Sequence, residues 1–415
     1  MSAVDTTVTA ERQSLFAVFQ DYRAKLRGGD VGALPALAGV VALTIVFTAL
    51  SGSTFTNRFN FANLILQGSA YAVFAMGLVF VLLIGEIDLS AGFAGGVCAG
   101  VVGKLMNDHS VNWVPALLGG LLCGAAIGLV IGLLVSKLGV PSFVVTLAFF
   151  LAFQGILLLL TGAGGTIPYR DSHILAIMNN NMPLWLGWAF AGVTVVAYAV
   201  LGFSRRLQRA RAGLPTATLL VWVLKSVAFA AVVVAATAYL SGERSRNVIL
   251  ASLKGVPIVV VIVAGLVVMG TFLLTRTPWG RHVYAVGGNA EAARRAGINV
   301  ARVQITCFML CSTFAAIGGV LLASRTNSVN PSTGGSDVLL FGVGSAVIGG
   351  TSLFGGKGRV LDGLLGASVI VMIVNGMTLQ GQPQGRVYMI TGLVLLLAAS
   401  VDAISRRRAA ATGRV

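Results

Sequence analysis

Carboxylates are the side chains with which an apolar chain most readily does chemistry, because one held at membrane depth can carry protons. This chain has thirteen acidic residues: Asp5, Glu11, Asp21, Asp30, Glu86, Asp88, Asp108, Asp171, Glu243, Glu291, Asp337, Asp362 and Asp402. Each lies in a tail, in a loop or near the end of an apolar segment, so no obvious proton carrier stands inside a span. If the chain moves something uphill, the energy falls to a partner. Residues 85–90, GEIDLS, join a long second apolar segment to a short, glycine-rich third. Glu86 and Asp88 are placed to favour the start of the following helix, and Ser90 to cap it directly. An interrupted helix of this kind can also line a pathway.

Residues 276–300, RTPWGRHVYAVGGNAEAARRAGINV, form the longest ordered polar stretch between spans. Asn289 suits an N-cap, Glu291 the positive end of a short helix, Arg294 and Arg295 its negative end, and Gly297 the C′ position. The spacing predicts a two-turn surface helix able to dock on another protein. Residues 349–359, GGTSLFGGKGR, look like a phosphate-binding loop, but Thr351 stands where the first Gly should be and Gly358 follows Lys357. The segment reads as a glycine-rich turn. His109, His173 and His282 are scattered, without zinc spacing or a nucleophile motif, so an enzyme reading has no support. Cys98, Cys123, Cys307 and Cys311 all fall in apolar segments and read as packing residues, not metal ligands.

The elements that must position these residues are membrane helices. Of 415 residues, 56% are hydrophobic and 10% charged, and mean hydropathy is +0.90. About 20 apolar residues make one span. On that basis twelve spans are expected, near 32–51, 62–84, 91–106, 114–135, 143–161, 184–203, 217–240, 256–275, 301–323, 338–354, 361–379 and 386–403. The third and tenth are short and broken by glycine. The net charge of +16 would suggest nucleic acid in a soluble protein. Here topology accounts for it. With the N-terminus in the cytoplasm, 20 Lys and Arg fall inside and eight outside, while Lys225 lies within a span. This predicts a multi-pass protein of the plasma membrane with both termini cytoplasmic, in contact with lipid and not with nucleic acid. Residues 1–30 form a cytoplasmic N-terminal segment with no cleavable signal peptide, in which 11–27 read as an amphipathic helix on the membrane surface. Residues 31–405 form the membrane domain and 406–415 a cytoplasmic tail.

Two glycine stripes, Gly92–Gly96–Gly100 and Gly120–Gly124–Gly128–Gly132, allow close helix packing, inside one subunit in preference to a dimer contact. Spans 2–5 and 9–12 each pair a long helix with a short glycine-broken one and run in opposite senses, the pattern of an inverted repeat.

Together these segments resemble the sugar permease subunits of ATP-binding-cassette importers, in the ribose/xylose branch and nearest the xylose type. The resemblance runs from about Asn57 to Asp402. It is carried by GEIDLSAG at 85–92, VPSFVVTLAFFLAFQGIL at 140–157, GRHVYAVGGNAEAARRAGINV at 280–300, NPSTGG at 330–335, VIGGTSLFGGKG at 347–358 and NGM at 375–377. The helix pair at 184–240 looks like an insertion into a ten-helix core. Many family members have Gly in place of Glu86 and a neutral residue in place of Lys357.

The resemblance implies an all-α homodimer that receives a monosaccharide from an extracytoplasmic sugar-binding protein. It implies coupling to a cytoplasmic ATPase subunit through the helix at Asn289, Glu291, Arg294, Arg295 and Gly297. No cofactor is expected on this chain, and ATP and Mg belong to the partner ATPase. A sugar path should be weakly polar. The polar residues on otherwise apolar spans are Asn63, Gln67, Thr146, Gln154 and Asn375, joined by the turn residues Asp88 and Ser90. D-xylose or a related pentose is the expected solute. Another sugar or a nucleoside in the same importer class is the alternative, and a secondary transporter a more distant one.

Overall fold

Long apolar runs without a backbone partner in lipid must satisfy their own amides, and in this chain they do so as helices. The computed structural model describes residue 32 and residues 34–411, apart from 163–164, 215, 217 and 246–251. The expected surface helix at 11–27 and the last four tail residues lie outside the described residues.

In chain order the helices are α1 (Leu34–Ser51), α2 (Ser53–Thr56), α3 (Arg58–Leu83), α4 (Ala91–Asp108), α5 (Trp113–Ser136), α6 (Ser142–Thr161), α7 (Ser172–Asn179), α8 (Leu184–Arg211), α9 (Leu219–Ser241), α10 (Val259–Arg276), α11 (Pro278–Gly288), α12 (Ala290–Arg295), α13 (Val300–Thr326), α14 (Ser336–Ile348), α15 (Val360–Leu379) and α16 (Gln384–Ala411). Two short strands, β1 (Ile167–Pro168) and β2 (Ser328–Val329), pair antiparallel with Ile167 opposite Val329. Each of the twelve expected spans holds a helix, though the tenth, expected to 354, stops at Ile348, and among the described residues ten helices are long and apolar enough to cross a membrane. The other two are α4, whose five glycines dilute its apolar character, and α14, which has 13 residues. These are the third and tenth spans, the pair marked by glycine in the sequence. The chain is therefore an all-α polytopic membrane protein.

Two compact units divide it. One comprises Val31–Asn180 with Pro257–Ile404, and the other includes Asn181–Val256. In the first, α3, α13 and α15 are interior: 67%, 61% and 72% of their apolar windows are buried, against 11% for α1 and α16. Phe74, Phe80, Phe308 and Phe314 are fully enclosed there. The helices pack in matching pairs. α13 lies along α5 as α3 lies along α15; α13 packs on α4 as α3 packs on α14; α4 packs on α5 as α14 packs on α15; and α3 packs on α13.

Glycine sets how closely they approach. A Cβ at Gly124 would stand 2.7 Å from the Ser312 carbonyl oxygen, and one at Gly132 2.7 Å from Ile305 Cα. Gly128 faces the Phe308 backbone and Gly120 the Val102 side chain. The α5 stripe is thus filled within the chain, mainly by α13. Large apolar side chains point outward from the other helices, as a lipid-facing surface requires, among them Leu122, Leu159 and Met389.

In the second unit α8 and α9 form a helical hairpin. Tyr198 stacks on Phe229 with ring centroids 4.3 Å apart, and the Trp222 indole donates to the Ala199 carbonyl at 3.2 Å beside Gly202. Beyond α9, Glu243 accepts from the amides of Arg244, Ser245 and Leu253 and from the Ser252 hydroxyl. Those hydrogen bonds, the Ser245 amide first, push its pKa down to about 2.

Candidate functional site

Two interruptions bring the polar motifs together. The chain leaves α3 at Gly85, which has φ +77°, and turns back before α4 begins. In this break Asp88 is fully buried. Its Oδ1 accepts from the Ser90 amide at 2.9 Å and the Ser90 hydroxyl at 2.6 Å. Its Oδ2 is enclosed without a hydrogen-bond partner among the described residues, and the Cys311 thiol of α13 lies near the carboxylate. Ser90 was expected to cap α4 directly, yet it makes no capping bond. Its own backbone is helical and its hydroxyl is spent on Asp88, which takes the capping role. Glu86 does not turn to the helix start either: it accepts from Gln304 of α13 at 3.1 Å. Thr146 of α6 is buried against the same break, donating to Ser142 O at 2.9 Å and Ile87 O at 3.3 Å.

The second interruption, 327–335, lies against the first two turns of α4. Gly92 meets the carbonyls of Gly334 and Gly335, and Gly96 meets that of Thr333. The Asn330 side chain folds this loop by accepting from the Ser332 amide at 3.0 Å and the Thr333 hydroxyl at 3.2 Å. The α4 glycine stripe is therefore a seat for the NPSTGG loop. The starts of the two short helices, α4 and α14, come together here.

The remaining path candidates form a different group. Asn63 accepts from Arg325 Nη2 at 3.1 Å, and Gln67 lies one turn further along α3. Arg325 Nη1 is enclosed without a partner among the described residues. Asn375 and Asn60 exchange two amide hydrogen bonds, each 3.0 Å, between α15 and α3. Both are buried, so this pair is a helix–helix bond. Gln154 is half-buried on α6, two turns beyond Thr146. Thus Asp88, Ser90 and Thr146 are assembled at the break; Asn63 and Gln67 lie on the opposite stretch of α3, where Asn375 of α15 meets Asn60; and Gln154 stands apart. Arg325 and Asn60 were not singled out from the sequence, because a base and an amide near helix ends have no distinguishing spacing.

The polar stretch after α10 holds two helices where one was expected. α11 starts on Pro278 at its first turn, with the Thr277 hydroxyl accepting from the Gly280 amide at 3.1 Å. Thr-Pro is a start signal that the sequence carried. α12 follows at once. Asn289 caps it by accepting from the Ala292 amide at 2.9 Å. Glu291 accepts from Arg294 at 2.8 Å and Arg295 at 3.2 Å. Gly297, at φ +84°, closes it: its amide donates to Arg294 O and that of Ile298 to Ala293 O, both at 3.0 Å. This is a Schellman closure, for which glycine is favoured. Ala293 alone of the six is buried; the side chains of Glu291, Arg294 and Arg295 are more than half exposed. A cavity of 520 Å³ opens beside α12, lined among others by Lys137, Arg294, Asn299 and Gln304.

Glycine-rich backbones tie this surface to the first break. The Gly356 amide donates to Leu83 O at 2.8 Å, Gly287 packs on that same carbonyl, and Gly355 stands against Gly85. The Tyr284 hydroxyl of α11 donates to Gly358 O at 2.8 Å. The amides of Ser352 and Gly356 are used by protein carbonyls, which suits a structural turn and not a phosphate cradle.

The model of one permease family, described as "Branched-chain amino acid transport system / permease component", matches residues 60–399. The chain belongs to this family. It is 33% identical over 380 residues to the xylose transport system permease protein XylH of Escherichia coli K12, covering 90% of this chain and 92% of that one. The XylH of Haemophilus influenzae is 31% identical, covering 92% and 99%. The ribose import permease protein RbsC of Escherichia coli K12 is 30% identical, covering 88% and 92%. No solved structure matches the chain. The resemblance to the ribose/xylose branch thus holds over nearly the whole length of this permease.

Proposed function

We propose that this permease is the membrane-spanning subunit of an ATP-binding-cassette importer that brings a monosaccharide, D-xylose or a related pentose, into the cytoplasm. The observation that carries the reading is kinship to a xylose permease along nine-tenths of the chain. ATP, with Mg, is hydrolysed on a separate cytoplasmic ATPase subunit. A homodimer of the permease takes sugar from an extracytoplasmic binding protein. Ribose is the second reading, favoured by the RbsC relationship.

Contact with the ATPase runs through α12, where exposed Glu291, Arg294 and Arg295 sit on a helix closed at both ends by Asn289 and Gly297. A rigid six-residue helix about 9 Å long suits a cleft on a partner. The sugar path follows the two interruptions, with Asp88, Ser90 and Thr146 at one and Asn63 and Gln67 further along. Asn375 and Gln154 complete the set, and Arg325 joins Asn63 because its enclosed N–H groups suit sugar hydroxyls. The matched pairing of α3–α5 with α13–α15 supports an inverted repeat. The separate compactness of Asn181–Val256 supports an insertion into a ten-helix core. The basic asymmetry supports both termini in the cytoplasm and residence in the plasma membrane.

The test is reconstitution of the permease with its ATPase and binding protein, followed by a screen of pentoses and hexoses. Xylose-stimulated hydrolysis with matching uptake is expected. Stimulation by ribose and not xylose would transfer the assignment to the second reading. Uptake without ATP or partners would reject the importer altogether.

A further inference from the structure

Glu86 holds a bond that the fold of the break does not require. Its Oε1 accepts from the Gln304 side-chain amide at 3.1 Å, across 218 residues of sequence. The break is shaped without it. Gly85 turns at φ +77°, the Glu86 amide donates to Val81 O at 3.2 Å, and Asp88 holds Ser90. The Glu86 carboxylate has no ion pair among the described residues.

Gln304 is the fifth residue of α13, about 6 Å along the helix from its start. The join from α12 to that start is short and hydrogen-bonded. Gly297 and Ile298 close α12, and the Asn299 side chain caps α13 by accepting from the Arg302 amide at 2.9 Å. A displacement of α12 is thus passed to the first turns of α13. On the other side, Glu86 is two residues from Asp88. Between them Ile87 donates its amide to the Ser142 hydroxyl and accepts from the Thr146 hydroxyl, both at 3.3 Å.

Both partners can turn to water when they part. Glu86 and Gln304 are each half-buried, and Gln304 lines the 520 Å³ cavity beside α12. A hydrogen bond whose groups can be hydrated opens with little loss, whereas one between enclosed groups leaves them unsatisfied. The Asp88–Ser90 bonds are of the second kind and the Glu86–Gln304 bond is of the first.

We propose that Glu86 and Gln304 form a releasable tie through which α12 positions the break, an inference that rests on the importer reading above. Movement of α12 with the ATPase carries Gln304, and through Glu86 it resets Ile87, Asp88 and the Thr146 contact. Both are positioning residues and act through the break.

The test measures uptake and ATP hydrolysis together in liposomes holding the permease, its ATPase and the binding protein. The probe is whichever of D-xylose and ribose stimulates wild type more. Gln304→Glu sets two carboxylates against each other. It should lower the sugar moved per ATP about tenfold, with hydrolysis within about twofold of wild type. Adding Glu86→Gln rebuilds the bond with donor and acceptor exchanged and should restore the ratio to within about twofold. If Gln304→Glu does not fold, Glu86→Ala and Gln304→Ala take its place. Each should lower the ratio about tenfold, with no further loss in the double variant. A purely structural role lowers uptake, hydrolysis and the melting midpoint together and leaves the ratio unmoved. That result, or a loss that the exchanged pair fails to recover, overturns the tie alone. A wild type in which neither sugar stimulates hydrolysis overturns the importer reading, and the tie falls with it.

Discussion

At the scale of single residues, Asp88 is fully buried in the break between α3 and α4. Its Oδ1 takes two hydrogen bonds from Ser90, and its Oδ2 has none among the described residues. The Oδ1 bonds need an acceptor oxygen but not a charge. Asp88→Asn should therefore keep the break folded. Asp88→Ala leaves the buried Ser90 amide and hydroxyl without their acceptor and should destabilise the protein by about 1–3 kcal/mol. Thermal unfolding of the purified protein checks this; a larger loss for Asn than for Ala would mean that the charge itself holds the turn. From the sequence, Asp88 was legible as a turn residue near a helix start. Its complete burial was not, because the groups that enclose it come from α6 and α13, more than fifty residues away.

At the scale of helices, glycine decides the contacts. Gly128 faces the Phe308 backbone directly, whereas nothing lies within 4 Å of a Cβ built on Gly155. Gly128→Ala should cost about 1–3 kcal/mol through overpacking. Gly155→Ala should be neutral or stabilise by up to about 1 kcal/mol. Comparison of the two melting midpoints checks the α5–α13 contact, and equal values would reject it. In α12 the capping geometry sharpens the choice of a disruptive substitution. Ala292 donates to the Asn289 side chain, so proline there removes only a cap. Ala293 donates to the Asn289 carbonyl at 2.9 Å, and proline there removes a helix hydrogen bond. Ala293→Pro should abolish sugar-stimulated ATP hydrolysis while the permease still purifies as a single species. Normal stimulation in that variant would remove α12 from the coupling route.

At the scale of the whole molecule, the basic asymmetry makes a topology that labelling can read. The native cysteines other than Cys123 are buried, so a Cys123→Ala background suits the experiment. Single cysteines at Asp108, Leu175, Ser245 and Asn330 should react with an impermeant reagent from outside in intact cells. Cysteines at Gln208, Ala290 and Thr412 should react only after permeabilisation. External reaction at Gln208 would invert the α8–α9 hairpin.

What the sequence by itself determined is what depends on local chemistry. Runs of about 20 apolar residues must be helices in lipid, so the twelve segments were legible, although the helices at 184–211 and 384–411 run eight residues past their apolar runs and that at 336–348 stops six short. Capping residues at fixed offsets marked α12, and glycine spacing marked the two helices too short or too dilute to count as ordinary spans. Thr277 and Pro278 would have marked α11 by the same logic. What only the tertiary structure decided is which distant surfaces fill those glycine stripes. The α5 stripe receives α13, the α4 stripe receives the 327–335 loop, and the glycines at 85, 287 and 355–356 share one knot. Glycine permits close approach without naming a partner, since it has no side chain to recognise one, and that choice falls to the packing of the whole bundle.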